Sequence, residues 1–225
     1  MCNPACLDFG FRTLTRDDIA GKDVLEVGAR DVNGSLRGGL QRLGPARYVG
    51  VDIEMGPGVD EICEITDLES RFGRDSFDVV ISTEVMEHVR EWRSAISNMK
   101  RVLRPNGVLL ITTRSKGFPY HGYPYDFWRY EPEDVRTMLS DMTIDTIERD
   151  TVSPGIFVKA HKPAGFKERE LDSINLYSIV THRRSHDVTT GQVYVRRLRH
   201  KVRRLLAKVL PKGMLSSIDR AVTGA

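Results

Sequence analysis

A chain of 225 residues is long enough for one sizeable domain with an appendage. At 40% hydrophobic and 29% charged residues it has a globular composition, and no apolar run reaches the length that spans a bilayer. Three cysteines (Cys2, Cys6, Cys63), an odd count, and a start without a basic flank or apolar core argue against a secreted disulfide scaffold. The expected compartment is therefore the cytoplasm. Cys2 and Cys6 stand four apart, a weak metal signal beside the plainer reading of reduced thiols.

The net charge of +3 conceals a division. Residues 161–225 carry 14 Lys/Arg and 5 Asp/Glu, a balance of +9, which leaves −6 for residues 1–160. An acidic body with a basic tail suggests two tasks. The expected division is an N-terminal segment 1–20, a ligand-binding domain 21–182 and a basic tail 183–225.

In chain order, 22–28, 47–53, 77–82 and 107–113 read as short buried strands, the last introduced by the turn Arg104-Pro105-Asn106-Gly107. Between the last two, Val85, Val89, Trp92, Ile96, Met99 and Leu103 recur at helical spacing and predict a helix over 84–103. Residues 143–149 and 156–160 read as an antiparallel pair around Ser153-Pro154-Gly155, and 174–181 as an added edge strand. Strands alternating with helices predict a doubly wound α/β domain, Rossmann-like, with a mostly parallel sheet and helices on both faces.

Ligands of such sheets bind beyond the carboxyl ends of the strands. The first strand ends Val24-Leu-Glu-Val-Gly-Ala-Arg-Asp-Val-Asn-Gly34. Gly28 admits a ligand to the backbone, and Asp31-Val-Asn-Gly34 is expected to turn into a helix whose N-terminus favours anions. Asp52, at the end of the second strand, can accept hydrogen bonds from both hydroxyls of a ribose. It lies 24 residues beyond Gly28, close to a dinucleotide fingerprint. A nicotinamide cofactor therefore competes. Against it, positions 30 and 33 are Arg30 and Asn33 rather than glycines, and Glu26 places a carboxylate that suits a cationic ligand better.

Glu26-x-Gly28, the acid after the second strand, Phe77-Asp-Val-Val-Ile-Ser-Thr-Glu-Val-Met-Glu-His-Val89 and Val102-Leu-Arg-Pro-Asn-Gly-Val-Leu-Leu-Ile-Thr-Thr113 together resemble the class I S-adenosylmethionine-dependent methyltransferases, of the type 11-like kind. The resemblance covers roughly residues 20–160 and implies a seven-stranded sheet. It implies that Glu26, Gly28 and Ala29 lie near the amino-acid part of S-adenosylmethionine. Asp52 would hold the ribose, Ile53 would pack on the adenine, and Glu64 and Ile65 would flank it. Thr83 is a further cofactor-binding residue that the resemblance implies. Gly34 is displaced from the family's usual glycine spacing, which leaves the contacting amides open.

Glu84, Glu87 and His88 stand at i, i+3 and i+4, one face of the predicted helix. They are either acid/base or divalent-metal chemistry, or an acidic first turn that favours the helix dipole. The pattern Glu-x-x-Glu-His resembles two metal-dependent groups of the superfamily, the small-RNA 3′-terminal 2′-O-methyltransferases and the ubiquinone-biosynthesis O-methyltransferases. That resemblance implies a four-residue site, Glu84, Glu87, His88 and His121, for a divalent ion (Mn, Mg or similar). Mixed imidazole and carboxylate donors favour a transition metal over Mg²⁺. Such an ion would chelate a vicinal diol and acidify one hydroxyl. Without it, His88 or His121 is the expected base.

Residues 117–130 hold seven aromatics: Phe118, Tyr120, Tyr123, Tyr125, Phe127, Trp128 and Tyr130. They read as a lid over the acceptor or as a clasp closing the sheet, and loosely resemble loops of methyltransferases acting on saccharides. Residues 193–210 read as an amphipathic helix. Val195, Leu198, Val202, Leu205, Leu206 and Val209 form one face, and Arg196, Arg197, Arg199, Lys201, Arg203, Arg204 and Lys208 the other. Three readings compete: contact with an anionic membrane at the inner surface, contact with nucleic acid, or docking on the body or on a second subunit of a homo-oligomer. No RNA-binding domain accompanies the tail, which disfavours nucleic acid. The resulting expectation is a metal-assisted O-methyltransferase acting on a sugar hydroxyl of a saccharide, glycolipid or glycosylated metabolite. RNA 2′-O-methylation and a catalytically silent cofactor-binding partner protein are the alternatives.

Overall fold

A computed structural model of the chain describes residues 4–122 and 124–206. It opens with α1 (Pro4–Thr13) and α2 (Arg16–Ile19), then alternates β1 (Asp23–Val27), α3 (Arg37–Gln41), β2 (Arg47–Asp52), β3 (Glu61–Ile62), α4 (Leu68–Phe72) and β4 (Phe77–Thr83). Next come α5 (Trp92–Val102), β5 (Leu103–Arg114), β6 (Trp128–Arg129), α6 (Pro132–Met138), β7 (Thr143–Arg149) and β8 (Gly155–His161). The chain continues through β9 (Leu176–Ser178), β10 (Arg183–Ser185) and α7 (Thr190–Leu206).

Seven strands form one sheet in the order β3-β2-β1-β4-β5-β8-β7. The pairs from β3 to β5 are parallel, and β8 runs antiparallel to both β5 and β7. β1 and β4 are buried along almost their whole lengths, which is why they read as continuous apolar runs rather than alternating ones. One face packs on α4, α5 and α6 through Trp92, Ile96, Met99, Val135 and Met138. The other face packs on α1 and α3, with Phe9 5.3 Å from Phe157 between ring centres. Residues 1–20 thus contribute core through Cys6, Phe9, Leu14 and Ile19. The Cys6 thiol lies 3.1 Å from Thr112 Oγ1, and Cys2 falls outside the described residues.

Three expectations are corrected. The segment 174–181 contributes β9 to a separate three-stranded sheet, β10-β9-β6, not an edge to the main one. The helix after Gly34 is short and begins only at Arg37. The helix expected over 84–103 forms only as Trp92–Val102, because Glu84 adopts φ 58° and Met86–His88 form a 3₁₀ turn.

Strand order reverses between β1 and β4, whose neighbours on their outer sides are β2 and β5. A crevice opens at that switch point beyond the carboxyl ends of the strands.

Candidate active site

The crevice is a cavity of about 550 Å³. Glu26, Gly28, Ala29, Gly34, Asp52, Ile53, Glu64, Ile65 and Thr83, nine residues far apart in sequence, all line it. Register explains the convergence: Val27 pairs with Val51 on one side and Ser82 on the other, so the ends of β1, β2 and β4 are level.

Gly28 takes φ 76° and hands its N–H to the Val51 carbonyl at 2.8 Å. A Cβ there would stand 2.0 Å from Val85 Cγ2, so side-chain bulk and the left-handed backbone both exclude other residues. Glu26 is buried and accepts a hydrogen bond from Tyr48 Oη at 2.8 Å. Burial, with the neighbouring Glu26 charge, pushes the Tyr48 phenol well above its ordinary range, so it stays a donor. The Asp52 carboxylate accepts from the backbone N–H of Arg30 at 3.3 Å and of Glu54 at 3.2 Å, which ties the loop after β1 to the loop after β2. Ile53 is 54% exposed and offers an apolar surface at the cavity edge.

At the other end stand His88, His121, Tyr125 and Phe127, with Thr190 and Val193 from the start of α7. Glu87, His88 and His121 each offer a donor atom, and these atoms all lie within 4.8 Å of one another. Glu87 Oε1 is 3.7 Å from His88 Nε2 and 3.6 Å from His121 Nε2. Ligand bonds of about 2.0–2.2 Å put the donors of one ion roughly 3–3.5 Å apart, so both Glu87–imidazole distances are a few tenths of an ångström longer than a bound ion requires.

The donor chemistry fits an ion as well. Glu87 is fully buried, its Oε2 accepts from Thr113 Oγ1 at 2.8 Å, and its Oε1 has no hydrogen-bond partner. His88 Nδ1 lies 2.5 Å from the Tyr125 carbonyl oxygen, to which an N–H there donates, leaving Nε2 as a lone-pair donor. His121 Nδ1 lies 3.0 Å from Asp126 Oδ2, and Asp126 is gripped by Arg129 Nη2 at 2.7 Å. Asp126 Oδ2 also accepts from the His121 backbone N–H at 2.9 Å, so the carboxylate sits beside the ring as an ion-pair partner, where a metal-site carboxylate often stands.

Electrostatics agree with the geometry. Burial opposes the charge on His121, but Asp126 and Glu87 outweigh it and push the imidazole up to about 9. Burial likewise opposes ionisation of Glu87, yet His121 and His88 hold it below the usual carboxylate range. A bound cation would take over the role of the His121 proton.

Glu84 departs from the expected ligand set. Its carboxylate lies against Arg114 Nε and outside the three-residue cluster. Burial, with the Glu87 charge added, pushes Glu84 up against the pull of Arg114. The positive φ of Glu84 turns the chain so that Val85 fills the space above Gly28 and Glu87 reaches Thr113.

The aromatic loop divides between the two readings. Trp128 and Tyr130 are clasp residues: Trp128 Nε1 donates to the Arg90 carbonyl at 3.1 Å and Tyr130 Oη to that of Met86 at 3.0 Å, while Phe127 lines the cavity. Tyr120 and Tyr125 face outward beneath α7, and Tyr123 falls outside the described residues. Sequence reasoning gave no role to Asp126 and Arg129, although a fixed Asp-x-x-Arg spacing inside an aromatic loop was a usable signal. It also missed that the basic tail supplies Thr190 and Val193 to the cavity wall.

Comparison with known proteins places the fold. Residues 5–150 match the family model described as a methyltransferase domain. A phthiotriol/phenolphthiotriol dimycocerosates methyltransferase of Mycobacterium tuberculosis is 34% identical over 118 residues, 47% of this chain and 42% of that protein. A ubiquinone biosynthesis O-methyltransferase of Parvibaculum lavamentivorans is 30% identical over 110 residues, 47% of this chain and 43% of that one. The chain thus spans under half the length of these curated relatives. Among solved structures, the 1,6-didemethyltoxoflavin-N1-methyltransferase of Burkholderia thailandensis, bound to S-adenosylhomocysteine, shares the fold with a TM-score of 0.59 at 16% identity, covering 72% of this chain and 80% of that one. A methyltransferase of Mesorhizobium loti does so at 0.55 and 14%, covering 70% and 98%. With its seven-stranded switch-point sheet and a family match over most of its length, this chain belongs to the class I S-adenosylmethionine-dependent methyltransferases.

Proposed function

We propose that the chain transfers a methyl group from S-adenosylmethionine to an acceptor hydroxyl held at a divalent-metal centre formed by Glu87, His88 and His121. The observation that carries this reading is that one cavity joins the Gly28/Asp52 end to the Glu87/His88/His121 end. The O-methyltransferase relative supports oxygen as the acceptor atom. The acceptor class that suits the site best is a sugar hydroxyl with a neighbouring hydroxyl, on a saccharide, glycolipid or glycosylated metabolite.

When bound, S-adenosylmethionine supplies an electrophilic methyl carbon and a divalent ion lowers the pKa of the hydroxyl. The residues do the positioning. Gly28 lets a ligand approach the end of β1, Asp52 accepts from ribose hydroxyls, and Ile53 covers an adenine face. Glu87, His88 and His121 would hold the ion, with Asp126 beside the His121 ring. Phe127 and Tyr125 present aromatic surface to a sugar ring. Transfer forms the acceptor O–CH₃ bond, breaks the S–CH₃ bond and releases the hydroxyl proton. With the imidazole lone pairs at that end assigned to the ion, the proton leaves to solvent water through the open side of the cavity.

Labelled methyl transfer to a panel of vicinal-diol sugars and glycolipids, with and without Mn²⁺, tests the reading. Metal-dependent label on an ether oxygen is expected. Label on RNA 3′ ends instead would replace the acceptor class. No transfer to any acceptor with cofactor binding intact would favour the silent-partner alternative.

A further inference from the structure

The tail helix docks the opposite way from what its pattern suggests. Thr189 caps α7, its Oγ1 accepting from the Gln192 N–H at 3.3 Å while Gln192 Oε1 accepts from the Thr189 N–H at 2.8 Å. From there the inward face is Val193, Arg196, Arg197 and His200. Val193 is buried, Arg196 and Arg197 lie 5.1 and 4.9 Å over the Tyr120 and Tyr125 rings, and His200 is 5.0 Å from Tyr120. The body therefore holds α7 partly by cation–π contacts. The apolar stripe points away. Tyr194, Val195, Leu198 and Val202 are 69, 45, 51 and 45% exposed. Arg199 and Lys201 border that stripe and are exposed.

We propose that α7 docks the protein on an anionic membrane surface through this stripe, with its inward face still on the aromatic loop. An outward apolar strip with basic flanks and no acidic residue in Thr190–Leu206 matches a surface of acyl chains beneath negative headgroups. A tyrosine at the edge of the strip suits the headgroup level. A second copy of the chain fits less well. Among the residues whose side chains are described, the stripe is four side chains over about 13 Å of helix, against the ~20–30 residues a side of a stable interface. Symmetric pairing would also bring Arg199 and Lys201 against their own copies. The mode is peripheral, since among the described residues no helix is long and apolar enough to cross a membrane. Because Thr190 and Val193 line the cavity, the docked helix would hold the acceptor end of that cavity against the lipid surface.

The test is co-sedimentation of the full chain with vesicles of 30% phosphatidylglycerol in phosphatidylcholine, against phosphatidylcholine alone, alongside size-exclusion chromatography. Wild type should pellet with the anionic vesicles only. Leu198→Glu with Val202→Glu should reduce binding at least tenfold without shifting the thermal melt. Lys201→Gln should reduce it about fivefold, and more salt should weaken the remainder. Equal binding by the double variant, or no binding by wild type, would overturn the proposal. A wild-type dimer that the double variant dissociates, without lipid binding, would assign the stripe to a second copy. Retention on a polyanionic RNA unaffected by the double variant, again without lipid binding, would assign the helix to nucleic acid. Vesicle binding does not require methyl transfer, so the failure of one reading leaves the other standing.

Discussion

His121 Nδ1 lies 3.0 Å from Asp126 Oδ2, at the end of the cavity lined by His88, Tyr125 and Phe127. Arg129, with no exposed surface, holds that carboxylate from the other side and also donates to the carbonyls of Phe118 and Pro119 at 3.2 and 3.1 Å. The ring is therefore aimed by a buried ion pair inside the loop rather than by the sheet. If it positions a metal ligand, Asp126→Asn should weaken Mn²⁺ binding about 10–100-fold. S-adenosylhomocysteine affinity should stay within about twofold, since Asp126 does not line the cofactor end. Calorimetric titration of each ligand separates the two effects.

The same carboxylate gives a pH signature. Burial opposes its ionisation, but Arg129 and His121 hold it well below the ordinary carboxylate range. A depressed carboxyl contributes stability above its unfolded value, about 3.9, and loses it as pH falls toward the folded value. Wild type should melt well above Asp126→Asn at pH 7, where the variant leaves Arg129 uncompensated. The two melting curves should converge as pH drops below about 4. A gap that persists unchanged to pH 3 would contradict this assignment.

Glu84 and Glu87 are expected to separate. Glu87→Gln removes a donor and a buried charge facing two imidazoles, and should abolish measurable Mn²⁺ binding. Glu84 stands on Arg114, so Glu84→Gln should change Mn²⁺ affinity less than about threefold. Electron paramagnetic titration of free Mn²⁺ reads both. Equal losses would restore a four-ligand site.

Gly28→Ala should lower S-adenosylhomocysteine affinity at least tenfold. The added Cβ meets Val85 at 2.0 Å and must also sit at φ 76°. Adding Val85→Ala relieves the contact but not the backbone cost of about 1–2 kcal/mol, so recovery should be partial. Full recovery would place the whole effect in packing.

The sequence showed the sheet and the cofactor end clearly, for a physical reason. Central strands buried on both faces, such as Phe77–Thr83, must be continuous apolar runs, and the glycine and acids at their ends stand out against them. The stretch 84–91 was less legible. Helical spacing of Val85 and Val89 suggested an α-helix, but packing of Val85 above Gly28 and the left-handed Glu84 override that local preference. His121 lies 33 residues beyond His88, a separation no local pattern bridges. Resemblance linked the two, and the structure supplied the 4.7 Å between their ring centres. In the tail, Val195, Leu198 and Val202 share one exposed side of α7 as their spacing predicts, while Leu205, Leu206, Val209, Arg203, Arg204 and Lys208 lie outside the described side chains. The orientation of α7 depended on Tyr120 and Tyr125 offering aromatic faces to Arg196 and Arg197, a tertiary fact.

The most direct test of a metal-assisted site is to titrate S-adenosylhomocysteine into metal-stripped protein by calorimetry and then add Mn²⁺, for wild type and His121→Ala. The account predicts cofactor binding by both proteins, Mn²⁺ binding by wild type with release of the His121 proton, and at least a hundredfold weaker Mn²⁺ binding by the variant. Cofactor binding with no Mn²⁺ site in wild type, or with the same site in both proteins, would contradict it.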